Sequence, residues 1–163
     1  MNKVMNHPEN FVDESLEGII LAHGRELKLA EGNNRSVVRA DAPIQGKVAI
    51  VTGGGYGHLP VFLGYVGKGF CDGVAVGNVF TSPSCDTIVD AAKAVNGGAG
   101  VLFLFGNYMG DTMNFDMAAE MLGMEDIPCA MVKAADDVAS APRSDFRERR
   151  GVGGIFFPYK LAG

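Results

Sequence analysis

Cysteine, contiguous positive charge and long apolar runs are all scarce in this sequence, and each shortage removes a class of protein. The three cysteines, Cys71, Cys85 and Cys129, are odd in number and widely spaced, with no CxxC or Cys/His ligand pattern. Neither a disulfide framework nor a zinc site is indicated, and a reduced, cytoplasmic setting is expected. No segment approaches the ~20 uninterrupted apolar residues of a membrane span, and residues 1–9 lack a charged start followed by an apolar core. The largest basic grouping is Arg147, Arg149 and Arg150, in a chain of net charge −5. That argues against a nucleic-acid partner and reads as a solvated basic turn. With 163 residues, 47% of them hydrophobic, and no linker or repeat, the chain is expected to form one α/β domain over residues 1–163.

Glycine is what the sequence has in excess, 23 of 163 residues against a usual share of about 7%. The glycines punctuate apolar runs. Helical spacing over 8–23 predicts an amphipathic helix capped by Asn6 and stopped by Gly24. Val37–Arg39 and Val74–Val76 read as short strands, and Val48–Val51 as a buried parallel strand ending in a glycine loop, followed by a short helix from Pro60. Ser82 and Pro83 resemble a cap and first helical residue, with Ile88, Val89, Ala92 and Val95 on the helix's inner face. Val101–Phe105 suits a central strand with an exit loop over 106–111. A helix with Phe115, Ala118, Ala119 and Leu122 inward is then closed by Gly123. Cys129–Val132 and Gly154–Phe157 are the remaining strand candidates. Alternation of this kind implies a mostly parallel sheet with helices on both faces, with the ligand beyond the carboxyl ends of its strands.

Two loops at that end carry candidate chemistry. Gly53-Gly54-Gly55-Tyr56-Gly57-His58 exposes backbone N–H groups suited to polyol or phosphate oxygens, or is a tight strand-to-helix turn. It lacks the Lys-Ser/Thr pair of a P-loop, and His58 stands where a dinucleotide fingerprint needs its third glycine. His58 has the intrinsic proton affinity to orient a hydroxyl or accept its proton, unless its role is structural. Asp111 reads either as a general base or as a helix N-cap. Thr81 and Ser82 are candidates to line the same cleft. Asp136 and Asp137 lack the further oxygens a hard metal requires and read as surface acidity, so no metal site is expected.

Taken in order, Gly53-Gly-Gly-Tyr-Gly-His-Leu-Pro60, Gly64-Tyr-Val-Gly67, Gly77-Asn-Val-Phe-Thr-Ser-Pro83, Gly106-Asn-Tyr-Met-Gly-Asp111 with Asn114-Phe115, and Arg149-Arg-Gly-Val-Gly153 resemble the dihydroxyacetone kinase family. The resemblance covers the whole chain and corresponds to the N-terminal part of that family's substrate-binding subunit. It implies a phosphotransferase component that positions dihydroxyacetone or a related ketose. Gly55, Tyr56, Gly57 and His58 would surround the substrate, and Asp111 would act on the attacking hydroxyl. ATP or ADP with magnesium would sit on a nucleotide-carrying subunit, with no cofactor held by this chain.

Three departures bear on that expectation. Tyr56 and Leu59 replace the serine and glutamate common in the family loop, which makes a related ketose, or a non-catalytic sensor of dihydroxyacetone, the alternative. Gly106 replaces a common lysine and removes a positive charge from the cleft. The family's later portion supplies a histidine that bonds covalently to the substrate carbonyl, whereas no histidine follows Asp111 here. A companion chain or missing C-terminal half carrying that histidine is therefore expected. An oligomer contact near Phe156 and Phe157 is also anticipated.

Overall fold

A computed structural model of the chain describes residues 3–163. Six strands form one sheet in the order β1-β2-β4-β3-β5-β6. The strands are β1 (Leu27–Ala30), β2 (Asn33–Arg39), β3 (Ala49–Gly55), β4 (Gly73–Gly77), β5 (Val101–Gly106) and β6 (Cys129–Ala134). Strands β4, β3, β5 and β6 pair in parallel, while β1 and β2 form an antiparallel hairpin beside β4. The architecture is thus a mostly parallel α/β sheet. Strand β1 went unrecognised in the sequence because Leu27-Lys-Leu-Ala30 buries only its two ends, too short an alternation to stand out.

Alternate strand residues enter two different cores. Val51, Phe103 and Phe105 face α2 (Cys85–Val95) and α3 (Met109–Gly123), where Ile88, Phe115 and Leu122 are fully buried. On the opposite face, Val37 and Val74 pack under α1 (Phe11–His23), and Ile50 and Leu104 under α4 (Phe156–Ala162). Phe105 stacks on Phe115 with centroids 4.1 Å apart.

Several local expectations are corrected. The glycines 53–55 are not a loop: they continue β3, with Gly53, Gly54 and Gly55 paired to Ala75, Val76 and Gly77. A side chain at Gly54 would meet the Phe62 ring at 2.1 Å, so the glycine admits a phenyl group against the sheet. No α-helix starts at Pro60; the segment makes only short 3-10 turns, Tyr56–His58 before that proline and Leu63–Tyr65 after it. Helix α1 starts at Phe11 after a 3-10 turn, so Asn6 is not its cap. Ser84 rather than Ser82 caps α2, accepting from the Thr87 N–H.

Residues Gly154–Phe157 are not a strand but a 3-10 turn leading into α4. Ile155 and Tyr159, four residues apart, are both buried, and the Tyr159 hydroxyl bonds Thr52 Oγ1 at 2.5 Å. A short apolar run carries no period of its own, and this burial at helical spacing decides it. Phe157 and Leu161 on the same helix remain 65% and 87% exposed.

The order of the strands creates the site. From β3 the chain moves to β4 on one side, whereas β4 to β5 and β5 to β6 move the other way. Right-handed crossovers then require opposite faces. Residues 56–72 accordingly pack on the α1/α4 face, and α2 and α3 on the other. A crevice opens where the exits of β3 and β5 diverge, the point at which such sheets bind ligands.

Candidate functional site

The crevice is a cavity of about 510 Å³ whose walls come from three loops. Gly55 ends β3 and His58 follows it, Tyr108 to Asp111 follow β5, and Arg150 to Gly153 follow β6. Phe80, Thr81 and Ser82, beyond β4, also line it, as do Val61, Phe62 and Ile155. The structure therefore brings His58 and Asp111 to one cavity.

Asp111 lies in the first turn of α3, whose N-cap is Tyr108. It is not itself the cap, because the helix begins three residues earlier than the sequence suggested. Its side chain is 7% exposed, and its Oδ1 has no hydrogen-bond partner among the described residues. Burial pushes the carboxyl above the ordinary carboxylate range, against the opposing pull of the Ser82 hydroxyl and the His58 ring. An uncompensated oxygen of this kind costs about 1–3 kcal/mol, and a ligand hydroxyl in the cavity would satisfy it.

His58 stands between two phenyl groups, its ring 5.2 Å from Phe80 and 5.9 Å from Phe62, both near edge-on. Phe62 and Phe80 are two of the non-glycine residues with positive φ, at 68° and 57°. Backbone strain of roughly 1–3 kcal/mol each is thus concentrated around the imidazole. Phe80 lies close over the glycine segment, since side chains at Gly55 and Gly57 would meet it at 3.0 and 2.8 Å.

Tyr56 goes elsewhere. Its ring packs edge-on against Phe11 at 5.7 Å and is buried with Val12, Leu16 and Val74. Gly57 also lies outside the cavity lining, beneath Phe80. The Tyr56 ring and Gly57 thus lie behind the cavity wall, because β3 extends through Gly55 and turns its next side chain into the core.

Residues whose part was not anticipated hold the loops together. Asn107 Nδ2 donates to the carbonyls of Arg147 and Arg149 at 3.0 and 2.7 Å, tying the β5 exit to the arginine loop. Asn114 Nδ2 donates to the Pro83 carbonyl at 2.7 Å, fixing the β4 exit on α3. Asp136, read from sequence as plain surface acidity, accepts from the Val152 and Gly154 N–H groups at 2.9 and 2.8 Å. Arg150, read as part of a solvated turn, lines the cavity with its guanidinium 5.7 Å from the Tyr108 ring centre. The proximity of β6 to the crevice, invisible without strand order, is the signal that was missing.

A buried carboxyl group and an imidazole facing one cavity at the switch point of a mostly parallel sheet are the arrangement of a ligand-binding α/β domain. The chain belongs to the Dak1 domain family, whose model matches residues 17–163. It is 45% identical over 162 residues to a D-erythrulose kinase of Mycolicibacterium smegmatis, covering 99% of this chain and 27% of that protein. It is 43% identical over 162 residues to the dihydroxyacetone-binding subunit of a PTS-dependent dihydroxyacetone kinase of Listeria innocua, covering 99% of this chain and 48% of that one.

Among solved structures, the dihydroxyacetone kinase of C. freundii in complex with AMP-PNP and Mg2+ superposes with a TM-score of 0.88 at 33% identity, covering 98% of this chain and 30% of that one. A dihydroxyacetone kinase operon co-activator matches with a TM-score of 0.81 at 29% identity, covering 91% of this chain and 45% of that one. The chain thus spans between about a quarter and a half of the length of these relatives.

Proposed function

We propose that this chain forms the ketose-binding part of a dihydroxyacetone- or erythrulose-type kinase. The observation that carries the reading is the convergence of His58 and Asp111 on one cavity, with Asp111 Oδ1 buried and unpartnered among the described residues. A short hydroxyketone presents the complementary chemistry. A terminal hydroxyl donates to Asp111, which takes its proton as the hydroxyl oxygen attacks phosphorus and the bond from phosphorus to the donor breaks. His58, held by Phe62 and Phe80, orients a second oxygen of the ketose. Phosphoryl transfer asks for alignment and charge stabilisation more than covalent help, so groups that bind also catalyse.

The chain's own residues do not fit a nucleotide with magnesium. Gly53 to Gly55 are strand residues, no P-loop lysine follows them, and no group of three His, Cys, Asp or Glu side chains able to hold a metal occurs among the described residues. The phosphoryl donor is accordingly assigned to another domain or subunit, as is the nucleophilic histidine anticipated from the family resemblance. No helix of the described residues is long and apolar enough to cross a membrane.

The likeness to a co-activator supports a second reading, in which the same cavity binds a ketose without turning it over. Calorimetric titration with dihydroxyacetone and with D- and L-erythrulose tests what both readings share, since both expect at least one to bind. Phosphorylation by the full-length assembly separates them. For the kinase reading, Asp111→Asn should lower turnover by about 10²–10⁴-fold while the circular dichroism spectrum is kept. Undiminished turnover would remove Asp111 from the chemistry.

A further inference from the structure

The part of the cavity wall that follows β6 contains donors that the ketose reading leaves unused. Arg150 lines the cavity, yet its guanidinium makes no ion pair or hydrogen bond among the described residues and stands only over the Tyr108 ring. Its backbone, in contrast, is fixed on both sides: the N–H donates to Ser140 Oγ at 3.0 Å, and the carbonyl accepts from the Asp137 N–H at 2.8 Å. The guanidinium is thus carried on an anchored loop without being spent in it.

The next residues add to this. Asp136 takes the N–H groups of Val152 and Gly154, which alternate with those of Gly151 and Gly153. The latter two N–H groups have no acceptor among the described residues, and both glycines line the cavity. A carboxylate that holds every second N–H of a loop leaves the others without an acceptor and available to an anion. Close packing keeps the loop in this place, for a side chain at Gly151 would meet the Ala134 carbonyl at 2.4 Å.

We propose that Arg150, with the free N–H groups of Gly151 and Gly153, forms a subsite for a single phosphoryl group within the cavity. A guanidinium with adjacent N–H donors matches the oxygens of a phosphate. Gly106 leaves the exit of β5 without a cation, and Arg150 supplies one from the neighbouring strand's exit. That the phosphoryl group is one borne by a ketose, the product of transfer, rests on the function proposed above. Asp111 then receives the acceptor hydroxyl and Arg150 the phosphoryl oxygens, on different loops of the same cavity.

Titration calorimetry of the chain with inorganic phosphate, dihydroxyacetone phosphate and dihydroxyacetone tests the assignment. Arg150→Gln should weaken both phosphate ligands by about tenfold or more and leave dihydroxyacetone within twofold of the unaltered chain. Arg150→Lys should fall between, because an ammonium keeps the charge but not the planar fork. Failure of dihydroxyacetone to bind the unaltered chain would sink the ketose reading alone, since inorganic phosphate still reports on the subsite. No phosphate binding by the unaltered chain, or equal phosphate affinity in Arg150→Gln, would overturn the subsite.

Discussion

Two aspartates are buried in this domain, at opposite ends of the sheet, and their surroundings differ completely. Asp72, 2% exposed at the start of β4, has both oxygens engaged. Arg39 Nη1 donates to Oδ1 at 2.9 Å, the Ile50 N–H to Oδ2 at 2.8 Å, and Lys47 Nζ reaches both at 2.7 and 2.6 Å. Asp111, 7% exposed beyond the end of β5, leaves Oδ1 with nothing among the described residues. Similar burial thus serves two ends. At the amino end of the strands a carboxylate holds three segments together, whereas at the carboxyl end one is kept incomplete.

That contrast predicts opposite responses to the same chemical change. Asp72→Asn strips the charge that Arg39 and Lys47 face and should cost about 3 kcal/mol, the lower end of the range for breaking a buried pair, because Lys47 is partly exposed and Arg39 keeps Asp41. Urea unfolding would measure this, and a loss below 0.5 kcal/mol would show that the network contributes little. Tyr56→Ser, which installs the residue common in the family loop, should cost about 2–3 kcal/mol through loss of packing against Phe11. Ketose affinity should change little, because the ring faces the core; a large shift in affinity with unchanged stability would return Tyr56 to the cavity wall.

The smallest effect is expected at Asp111, and its sign is reversed. A carboxyl whose proton is held more tightly in the folded than in the unfolded chain binds more protons when folded. Stability therefore falls as pH rises through the window from the ordinary aspartate value to the raised one. Asp111→Asn removes this penalty and should raise Tm at neutral pH, with no gain at pH 3. A lowered Tm at both pH values would mean that the carboxylate is held by partners and is no longer the counterpart of Asp72.

The same two regions show what was legible in the sequence. The apolar runs at 48–51 and 101–105 announced β3 and β5 because buried parallel strands need no polar face. The positions of His58 and Asp111 at the ends of those strands followed directly. What escaped detection depends on non-local pairing. The glycines 53–55 read as a loop, since nothing local reveals that Ala75, Val76 and Gly77 will pair with them. The apolar run Gly154–Phe157 reads locally as a strand, and only the burial of Ile155 and of Tyr159 against Thr52 makes it helical. Arg150 and Asp136 looked like ordinary surface charges because only strand order brings the exit of β6 to the crevice. The Asp72 network was invisible for the same reason, its partners lying 22 to 33 residues away.

On the function proposed above, Asp111 keeps a free carboxylate oxygen for a ketose hydroxyl inside the cavity it shares with His58. Carboxyl carbon-13 NMR, with the Asp111 resonance assigned by Asp111→Asn, addresses it most directly. Titration above the ordinary aspartate value of about 3.9 is expected in the free protein, with a displaced resonance when dihydroxyacetone or erythrulose is added. An Asp111 signal that titrates as an ordinary surface carboxylate and ignores saturating ketose would contradict it.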